Sequence, residues 1–517
     1  MQGTYILKSK FNLRIIALLS AIPLTLFIQM VDTPLNWLVF VLAFYPGIEF
    51  GLKDACINAV IIGLTTAVIN FCWIISGTNR FTGSSNVLMG VGIILIFCVF
   101  FCFYTCSIGI AYVLLRWRQQ TKLRWLWTSI LAGCYFVFLD ELTQQIGKGF
   151  STCMYVNYIP FASNFFAIQP ASILGPSIIS FILAVVNYQA AYFLYYKKWR
   201  MLFIPASIVF VYLLSGYIIG QYYEKKTESR ENKQSVSVSI IAENISPDIV
   251  WNNQTGNFFV NNLLQLNKTA INSNPQLIIW SETAVPWTYQ PDDPFLDSIK
   301  EMNKRTQSTM IMGINTQYEG RTFYNSVYGI DANKNVLGIY KKREALFLVE
   351  KPFLGILLPF LSPNSFRVKE GTGANNITTK YGNAGILLCN ESSITSLASQ
   401  SVKAGANFLI NPGNDGWFSD TYITKQHFYH SRLRAVENRK DIIVNNNNGY
   451  CGIIKASGVI QSMKTDDNSY ILEGTIKPNN ISSFYNRHPN LLLYLTVTIF
   501  IILTILNFTA GKIKKPA

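Results

Sequence analysis

The chain has 517 residues, half of them hydrophobic, and its 43 lysines and arginines exceed its 28 acidic residues to give a net charge of +15. Only 14% of the residues are charged, whereas about a quarter are charged in a typical soluble domain. This composition excludes intrinsic disorder and argues against a single soluble domain. The basic excess suggests nucleic-acid binding only if the positive charge lies on a folded polar surface.

The positive charge lies instead in the apolar part of the chain. Residues 1–221 and 490–517 together carry 16 basic and 5 acidic residues, a net charge of +11. Residues 222–489 carry 27 and 23, a net charge of only +4. We therefore expect the charge to orient the chain in a membrane, and we expect no nucleic-acid partner.

Long apolar runs predict eight membrane-spanning helices, because about 20 apolar residues are needed to cross a bilayer. We expect the first run to be a membrane span and not a cleavable signal peptide, since further spans follow at once and no A-x-A-like site closes it. A transporter would need ionisable groups near the span centres, and these centres are nearly free of charge. The predicted spans are 12–30, 35–52, 55–76, 88–115, 123–140, 168–195, 201–221 and 490–508.

The loops between these runs predict the orientation. One alternating set of loops and termini holds 14 basic residues, and the other set holds only Arg80 and Lys148. Positive loops stay in the cytoplasm. We expect both termini to be cytoplasmic and the long polar segment to lie outside the cytoplasm, which in a Gram-negative cell is the periplasm. The predicted domains are a seven-helix membrane domain (1–221), a linker (222–236), a catalytic domain (237–489), and an eighth helix with a tail (490–517).

The polar segment shows an α/β pattern in which short β-rich runs alternate with amphipathic stretches. This alternation predicts stacked sheets covered by helices. Helices are expected at 293–306, 394–404 and 424–438. Strands are expected at 235–241, 276–280, 309–314, 325–330, 384–388, 407–411 and 441–445.

Three reactive residues follow strand-like runs in this segment. Glu282 follows QLIIW, Cys389 follows AGILL, and Lys342 lies after VLGIY. A residue in the turn from a strand to a helix is held rigidly at the sheet edge, as a nucleophile requires. A thiolate can attack a carbonyl carbon, a carboxylate can move the proton, and an ammonium can stabilise the oxyanion. Together these groups could carry out acyl transfer through a thioester.

Other chemistries are less consistent with the sequence. An oxidising compartment could pair Cys389 with Cys451 in a disulfide, or Cys389 could instead be a catalytic thiol. The chain has three histidines and no G-x-S-x-G motif, which disfavours Ser–His catalysis. No HExxH-type cluster is present, so we expect no metal site.

Several motifs together carry a family resemblance. They are WSETAVP at 280–286, YKK at 340–342, CNE at 389–391, NDGWF at 414–418, a helix with Gln426, His427, Arg432, Arg434, Ala435 and Glu437, and NNG at 447–449. In this order they resemble the nitrilase superfamily, which has a Glu–Lys–Cys triad on an α-β-β-α sandwich. With the apolar spans, the whole chain resembles the bacterial apolipoprotein N-acyltransferases.

The resemblance implies a role for each matching residue. Glu282 would be the general base, Lys342 the oxyanion-stabilising cation and Cys389 the nucleophile, with Glu350 and Glu391 in support. Residues 346–366 are unusually apolar for a water-facing loop and are expected to form a lid or arm that dips toward lipid. The expected substrate-binding residues are Trp251, Asn414 and Trp417.

The resemblance also implies the reaction and the substrates. A phospholipid would donate its sn-1 acyl chain to Cys389. The α-amino group of the S-diacylglyceryl-cysteine of an apolipoprotein would then accept it, which completes lipoprotein maturation. No cofactor is expected. The alternative is a membrane-tethered, nitrilase-like amidase or hydrolase that releases its thioester to water.

Overall fold

The computed structural model describes residues 10–45, 48, 51–75, 87–117, 122–146, 148, 156–228, 235–246, 252–333, 335–347, 350–352, 367–416, 418–419 and 421–509. Two residues expected to bind substrate, Trp251 and Trp417, lie outside these ranges. Most of the expected lid, 346–366, also lies outside them.

The regular secondary structure of the apolar part of the chain is helical in the residues that the structure describes. A short 3₁₀ helix, Pro34–Leu38, follows the first α-helix. The α-helices are α1 (Lys10–Ile28), α2 (Val41–Phe44), α3 (Leu52–Phe71), α4 (Val87–Leu115), α5 (Arg124–Ile146), α6 (Phe165–Ile168), α7 (Ala171–Leu174), α8 (Ser177–Tyr195), α9 (Phe203–Glu228) and, after the outer domain, α15 (Leu491–Thr509).

Six helices of the described chain, α3, α4, α5, α8, α9 and α15, are long and apolar enough to cross a membrane. The segments Asn12–Ile28 and Pro34–Phe44 are shorter, so the predicted count of eight spans is not confirmed. The predicted span 168–195 is divided, because Gly175 has a φ of +81° and Pro176 follows it. The first part becomes α6 and α7, and only α8 has the length of a span.

Small residues allow the membrane helices α3 and α4 to pack closely. A Cβ atom added to Gly63 would lie 2.6 Å from Thr105 Oγ1 and 2.9 Å from the Cα of Cys102. The Thr105 hydroxyl donates a hydrogen bond to the Ala59 carbonyl across the contact, at 2.7 Å. Close packing of this kind holds helices together in lipid, where there is no hydrophobic force between them.

The outer part of the chain contains fifteen described strands. They are β1 (Val236–Ala242), β2 (Leu277–Ile279), β3 (Val285–Thr288), β4 (Thr309–Glu319), β5 (Thr322–Tyr324), β6 (Ser326–Ile330), β7 (Val336–Lys341), β8 (Arg367–Val368), β9 (Ile377–Thr379), β10 (Gly382–Ile386), β11 (Phe408–Asn414), β12 (Ile442–Asn447), β13 (Cys451–Ile454), β14 (Ile460–Lys464) and β15 (Tyr470–Ile476). The helices of this part are α10 (Asn253–Ala270), α11 (Pro294–Lys304), α12 (Thr395–Lys403), α13 (Tyr422–Asn438) and α14 (Phe484–Arg487).

The strands form two sheets. The first has the order β15-β1-β2-β4-β5-β8, with β3 and β6 also paired to β4 and β7 paired to β6. The second has the order β14-β13-β12-β11-β10-β9. Strands β1, β2 and β4 run parallel, as do β10, β11 and β12. Parallel strands present their carboxyl ends at one edge, which is where Glu282 and Cys389 follow β2 and β10.

Apolar side chains fill the space between the sheets and beneath the helices. The central core contains Val238 and Ile240 of the first sheet and Ile386 and Ile410 of the second. Helices α10 and α11 cover the outer face of the first sheet, and α12 and α13 cover that of the second. This is the expected α-β-β-α sandwich, and every strand and helix predicted in the polar segment is present.

Helix α13 also joins the outer domain to the membrane part. Gln426 donates to the Ile28 carbonyl at 2.7 Å, and Arg432 donates to the Ala162 carbonyl at 2.9 Å. Arg439, which follows the helix, donates to Gln169 Oε1 at 2.9 Å. All three side chains are buried. The helix that covers the second sheet, with the arginine that follows it, is therefore hydrogen-bonded to the end of α1 and to residues 162–169 of the membrane part.

Candidate active site

Cys389 lies in the turn that follows strand β10. The 3₁₀ turn Cys389–Ser393 begins there, and the φ of Cys389 is +53°. A residue with a side chain rarely adopts this left-handed conformation. Asn411 stabilises the turn, because its Nδ2 donates to the carbonyl oxygens of Leu387 at 2.5 Å and of Cys389 at 3.1 Å. A constrained turn of this kind presents a nucleophile at the end of a strand.

Two glycines allow the strands around the site to approach each other. A Cβ atom on Gly413 would lie 3.5 Å from the Cα of Cys389 and would overlap Asn446 Oδ1. A Cβ atom on Gly313 would overlap the Ser281 carbonyl oxygen and lie 2.9 Å from the Cα of Glu282. A side chain at Gly313 would displace the backbone that carries Glu282, and a side chain at Gly413 would displace the Asn446 side chain beside the site.

Glu282 lies beside this turn and is almost fully buried, with 8% of its side chain exposed. Its Oε1 accepts a hydrogen bond from Asn325 Nδ2 at 2.7 Å and lies 3.5 Å from Lys342 Nζ. Its backbone N–H donates to the Gly413 carbonyl at 3.4 Å, which links the two sheets at the site. The carboxylate is therefore fixed in position beside a cation.

Lys342 is the central charge of the site, and only 1% of its side chain is exposed. Its Nζ lies 2.9 Å from Glu350 Oε2 and 3.0 Å from Glu350 Oε1. Burial alone would lower the pKa of Lys342, but the carboxylates of Glu350 and Glu282 raise it above its ordinary value. Lys342 therefore remains an ammonium ion at neutral pH.

The Cys389 thiol is buried with these charges. Burial raises its pKa well above the ordinary value and Glu282 raises it further, whereas the Lys342 ammonium lowers it. At rest the group is a thiol. Forming the thiolate thus requires that a neighbouring base accept the proton, and Glu282 is the carboxylate whose charge acts most strongly on the thiol.

Glu350 joins the site from a short turn. Its Oε2 accepts a hydrogen bond from the Leu346 N–H at 2.7 Å, and its own N–H donates to the Leu346 carbonyl at 2.8 Å. Asn325 Nδ2 lies 3.4 Å from Glu350 Oε1. Glu350 is therefore positioned, together with Glu282, to hold the Lys342 ammonium in place.

Glu391 connects the turn of Cys389 to the segment that carries Lys342. Its Oε2 accepts from the Leu388 N–H at 2.7 Å and from the Tyr340 hydroxyl at 2.6 Å, and its Oε1 accepts from the Arg343 N–H at 2.6 Å. Burial raises the pKa of Glu391, and the Arg343 guanidinium opposes that rise. Glu391 holds two backbone segments together.

Asn414 and Cys451 are the remaining described residues that were singled out from the sequence. Asn414 ends β11, and its Oδ1 accepts from Asn447 Nδ2 at 3.1 Å, so it lies beside the site in a polar network. Cys451 lies in β13 as a free thiol, as does Cys389 in its turn. The alternative of a disulfide between them is therefore wrong. The described residues contain no group of three or more metal-ligating side chains.

No role was assigned from the sequence to two residues that shape the site. Asn325 contacts both Glu282 and Glu350, and its carbonyl accepts from the Lys342 N–H at 2.8 Å. Asp415 pairs with His427 of α13 at 2.5 Å in the buried interior, and its charge acts on the Cys389 thiol. Asp415 and His427 lie within recognised motifs, but Asn325 opens an ordinary apolar strand and carried no signal.

Known proteins are similar to the α/β domain and, over longer stretches, to the chain as a whole. The carbon-nitrogen hydrolase family matches residues 237–486. Proteins named apolipoprotein N-acyltransferase are similar over longer stretches. The protein of Wigglesworthia glossinidia brevipalpis is 25% identical over 86% of this chain and 89% of its own length. The protein of Rickettsia prowazekii is 28% identical over 71% of this chain and 75% of its own length.

A relative of the same name in Geobacter metallireducens is 26% identical over 55% of this chain, and the match spans 56% of that relative's length. The sandwich and the matching domain place the chain in the nitrilase superfamily. The relatives whose similarity extends beyond this domain into the membrane helices are named apolipoprotein N-acyltransferase, and they support that membership for this chain. It is a membrane protein with a nitrilase-like outer domain.

Proposed function

We propose that this chain transfers a fatty acyl chain from a phospholipid, at its sn-1 position, to the N-terminal amine of a diacylglyceryl apolipoprotein through a thioester on Cys389. One observation carries the mechanism: a buried ammonium, Lys342, contacts two carboxylates beside a constrained thiol, whose pKa burial raises and whose thiolate form the ammonium favours. The relatives' names indicate the lipoprotein acceptor.

In the first half-reaction, Cys389 Sγ attacks the ester carbonyl carbon while Glu282 accepts the thiol proton. The carbonyl oxygen becomes an oxyanion, and the Lys342 ammonium stabilises it. The acyl C–O bond then breaks, and Glu282 returns the proton to the departing alkoxide. The products are an acyl-enzyme and a lysophospholipid.

In the second half-reaction, the free amine of the acceptor attacks the thioester carbon. The amide forms, the C–S bond breaks, and the amine's proton returns to sulfur through Glu282. Two half-reactions that share one covalent intermediate predict ping-pong kinetics. The outcome is transfer, and not hydrolysis, when the amine reaches the thioester before water does.

The test is intact mass spectrometry of the purified full-length protein incubated with a phospholipid of defined sn-1 chain. The wild type should gain the mass of one acyl group. Cys451→Ala should gain it as well, because this buried thiol lies away from Lys342, whereas Cys389→Ala should gain nothing. An equal adduct on the Cys389→Ala protein would refute the mechanism.

A second step separates the transferase from a hydrolase. A diacylglyceryl peptide added to the acyl-enzyme should release the adduct and appear as an N-acyl peptide. Release of free fatty acid alone would contradict the proposed acceptor and leave the thioester chemistry standing.

We also propose that both termini face the cytoplasm of a bacterial inner membrane and that the outer domain faces the periplasm. The distribution of 14 basic residues against 2 supports this orientation. A membrane-impermeant maleimide should label Gln254→Cys, an exposed outer-domain position, in spheroplasts. It should label Lys198→Cys, also exposed, only after permeabilisation. The reverse pattern would overturn the orientation.

A further inference from the structure

The membrane part contains a groove that the proposed chemistry does not use. It has a volume of about 940 Å³ and lies between the segment Pro34–Phe44, helix α8 and helix α9. Its apolar lining includes Trp37, Val186, Ala190 and Val209.

Hydrogen bonds and ring packing fix the base of the groove. Asn187 of α8 is buried, and its Nδ2 donates to the Trp37 carbonyl at 2.8 Å while its Oδ1 accepts from the Phe40 N–H at 2.9 Å. The Trp37 ring packs against Phe161 and Tyr212, with centroids 4.4 Å and 5.7 Å away. The short segment after α1 is therefore held firmly against α8.

The side walls of the groove face lipid. Leu38 lines the groove and is 44% exposed, and Leu35 (71%) and Phe210 (66%), which are next to lining residues in the sequence, are more exposed still. Side chains of this kind on membrane helices meet acyl chains, because water is absent from the hydrocarbon layer. The material that can fill the groove from the side is therefore the acyl chain of a bilayer lipid.

The polar end of the groove adds specificity. Asp32, Thr33, Asn36 and Asn164 line it, and Asp32 is the only charged residue among the described lining residues. An acyl chain gains no hydrophobic free energy when it moves from the bilayer into an apolar groove, since lipid is equally apolar. Lasting occupancy therefore depends on fit and on a polar headgroup contact. A carboxylate favours a cationic ammonium, with which it forms a charge-assisted hydrogen bond.

None of the described active-site residues lines the groove. Ser431 and His427 face the site, where they contact Asn411 and Asp415. Arg432 faces the other way and donates to the Ala162 carbonyl, next to the groove-lining Phe161. A lipid in the groove would thus be distinct from one that reacts with Cys389.

We propose that this groove binds one phospholipid with a primary-amine headgroup, its acyl chain along α8 and α9 and its ammonium at Asp32. The site is additional to the catalytic one.

The test uses photoactivatable phospholipids that carry a diazirine in the acyl chain, with either an ethanolamine or a glycerol headgroup. They are incorporated into nanodiscs that contain full-length Cys389→Ala protein, so labelling is independent of acyl transfer. Peptides of α8 and α9 should be labelled several-fold more than the lipid-exposed helix α15. The ethanolamine lipid should label them more than the glycerol lipid.

Two substitutions sharpen the result. Ala206 lines the groove and is exposed, so Ala206→Trp should fill it and reduce labelling of α8 several-fold. Ile502→Trp, which places the same ring on the exposed face of α15, should not. Asp32→Asn should keep the labelling but remove the preference for ethanolamine.

Several outcomes would overturn the proposal. Labelling of α8 no stronger than that of α15, or unchanged by Ala206→Trp, would show that no lipid resides in the groove. If the peptides that line the groove are not labelled and the protein can be cross-linked as a dimer, a second copy of the chain covers the groove. A headgroup preference that survives Asp32→Asn would remove the assigned role of the carboxylate.

Discussion

Two buried cysteines in the outer domain occupy opposite chemical surroundings. Cys389 lies in a left-handed turn, where burial and Glu282 raise its pKa and the Lys342 ammonium opposes that rise. Cys451 lies in a regular strand, where its Sγ is 3.3 Å from Asn445 Oδ1, and burial raises its pKa to about 12. Burial alone makes a thiol inert, so it is the adjacent cation and the strained turn that distinguish a candidate nucleophile from a packing residue.

The largest expected difference between the two cysteines is the change in the acyl-transfer rate when each of them is replaced by alanine. Cys389→Ala should lower acyl transfer by at least about 10³-fold, since the covalent intermediate can no longer form. Cys451→Ala should stay within about threefold of the wild type, because it loses only a small buried group. Initial rates with a labelled phospholipid and a diacylglyceryl peptide measure both. Comparable losses would mean that the surroundings do not distinguish the two thiols.

Removing the cation should have the next largest effect. Lys342→Met should lower kcat by about 10²- to 10³-fold, the scale of losing one oxyanion-stabilising donor. It should also raise the pKa of the Cys389 thiol, which the pH dependence of iodoacetamide labelling reports.

Lys341→Met is the matched control for this change. The neighbouring ammonium lies 3.9 Å from the centre of the Tyr324 ring and not in the site. It should leave both kcat and the labelling profile close to those of the wild type. An equal effect of the two changes would show that Lys342 acts through folding.

Glu243 links the surroundings of the two cysteines. It is buried, its Oε1 accepts from the Ser281 N–H at 3.2 Å beside Glu282, and its charge raises the pKa of Cys451. Burial raises the pKa of Glu243 from 4.5 to about 7. The folded state therefore binds this proton more tightly than the unfolded state.

The protonated Glu243 carboxyl stabilises the folded state. This contribution is fully present below pH 4.5 and is lost as the pH rises through about 7. It amounts to at most about 3 kcal/mol. Glu243→Gln should flatten the dependence of Tm on pH between 5 and 7, with Glu344→Gln as the partly exposed control. A wild-type Tm that rises over this range would contradict the assignment.

Glu350→Gln should have the smallest effect on the rate, about tenfold, or about 1.4 kcal/mol of barrier. The amide keeps the shape and the contact with the Leu346 N–H at one end, but it no longer carries the charge that holds the Lys342 ammonium. The loss should appear in kcat and not in KM. A change confined to KM would indicate a substrate contact instead.

The sequence predicted most of what lies at strand ends. Cys389 follows an apolar run directly and Glu282 follows one after Ser281. A strand that ends in a reactive residue places that residue at the sheet edge whatever the details of packing. The sandwich followed from the same alternation of strands and helices. Seven strands were expected, and the shorter or more polar ones, such as β5, β8 and β14, carried too weak a pattern to be recognised.

Long-range contacts between side chains could not be predicted from local sequence patterns. Asn325 joins Glu282 and Glu350 across 43 and 25 residues of sequence, and no local pattern marks it. The break at Gly175 and Pro176 was overlooked within an apolar run, so one predicted span was too long. Trp251, Trp417 and the expected lid remain predictions.

The arginines around α13 limit how the molecule can be divided. The guanidinium of Arg439 lies 3.8 Å from the centre of the Tyr223 ring and donates to Gln169, and that of Arg432 donates to two carbonyls of the membrane part. An outer domain excised from its helices would expose these cations and lose their acceptors. A soluble reagent made from this domain would therefore need both arginines redesigned, whereas a fusion that keeps residues 156–228 would retain their partners.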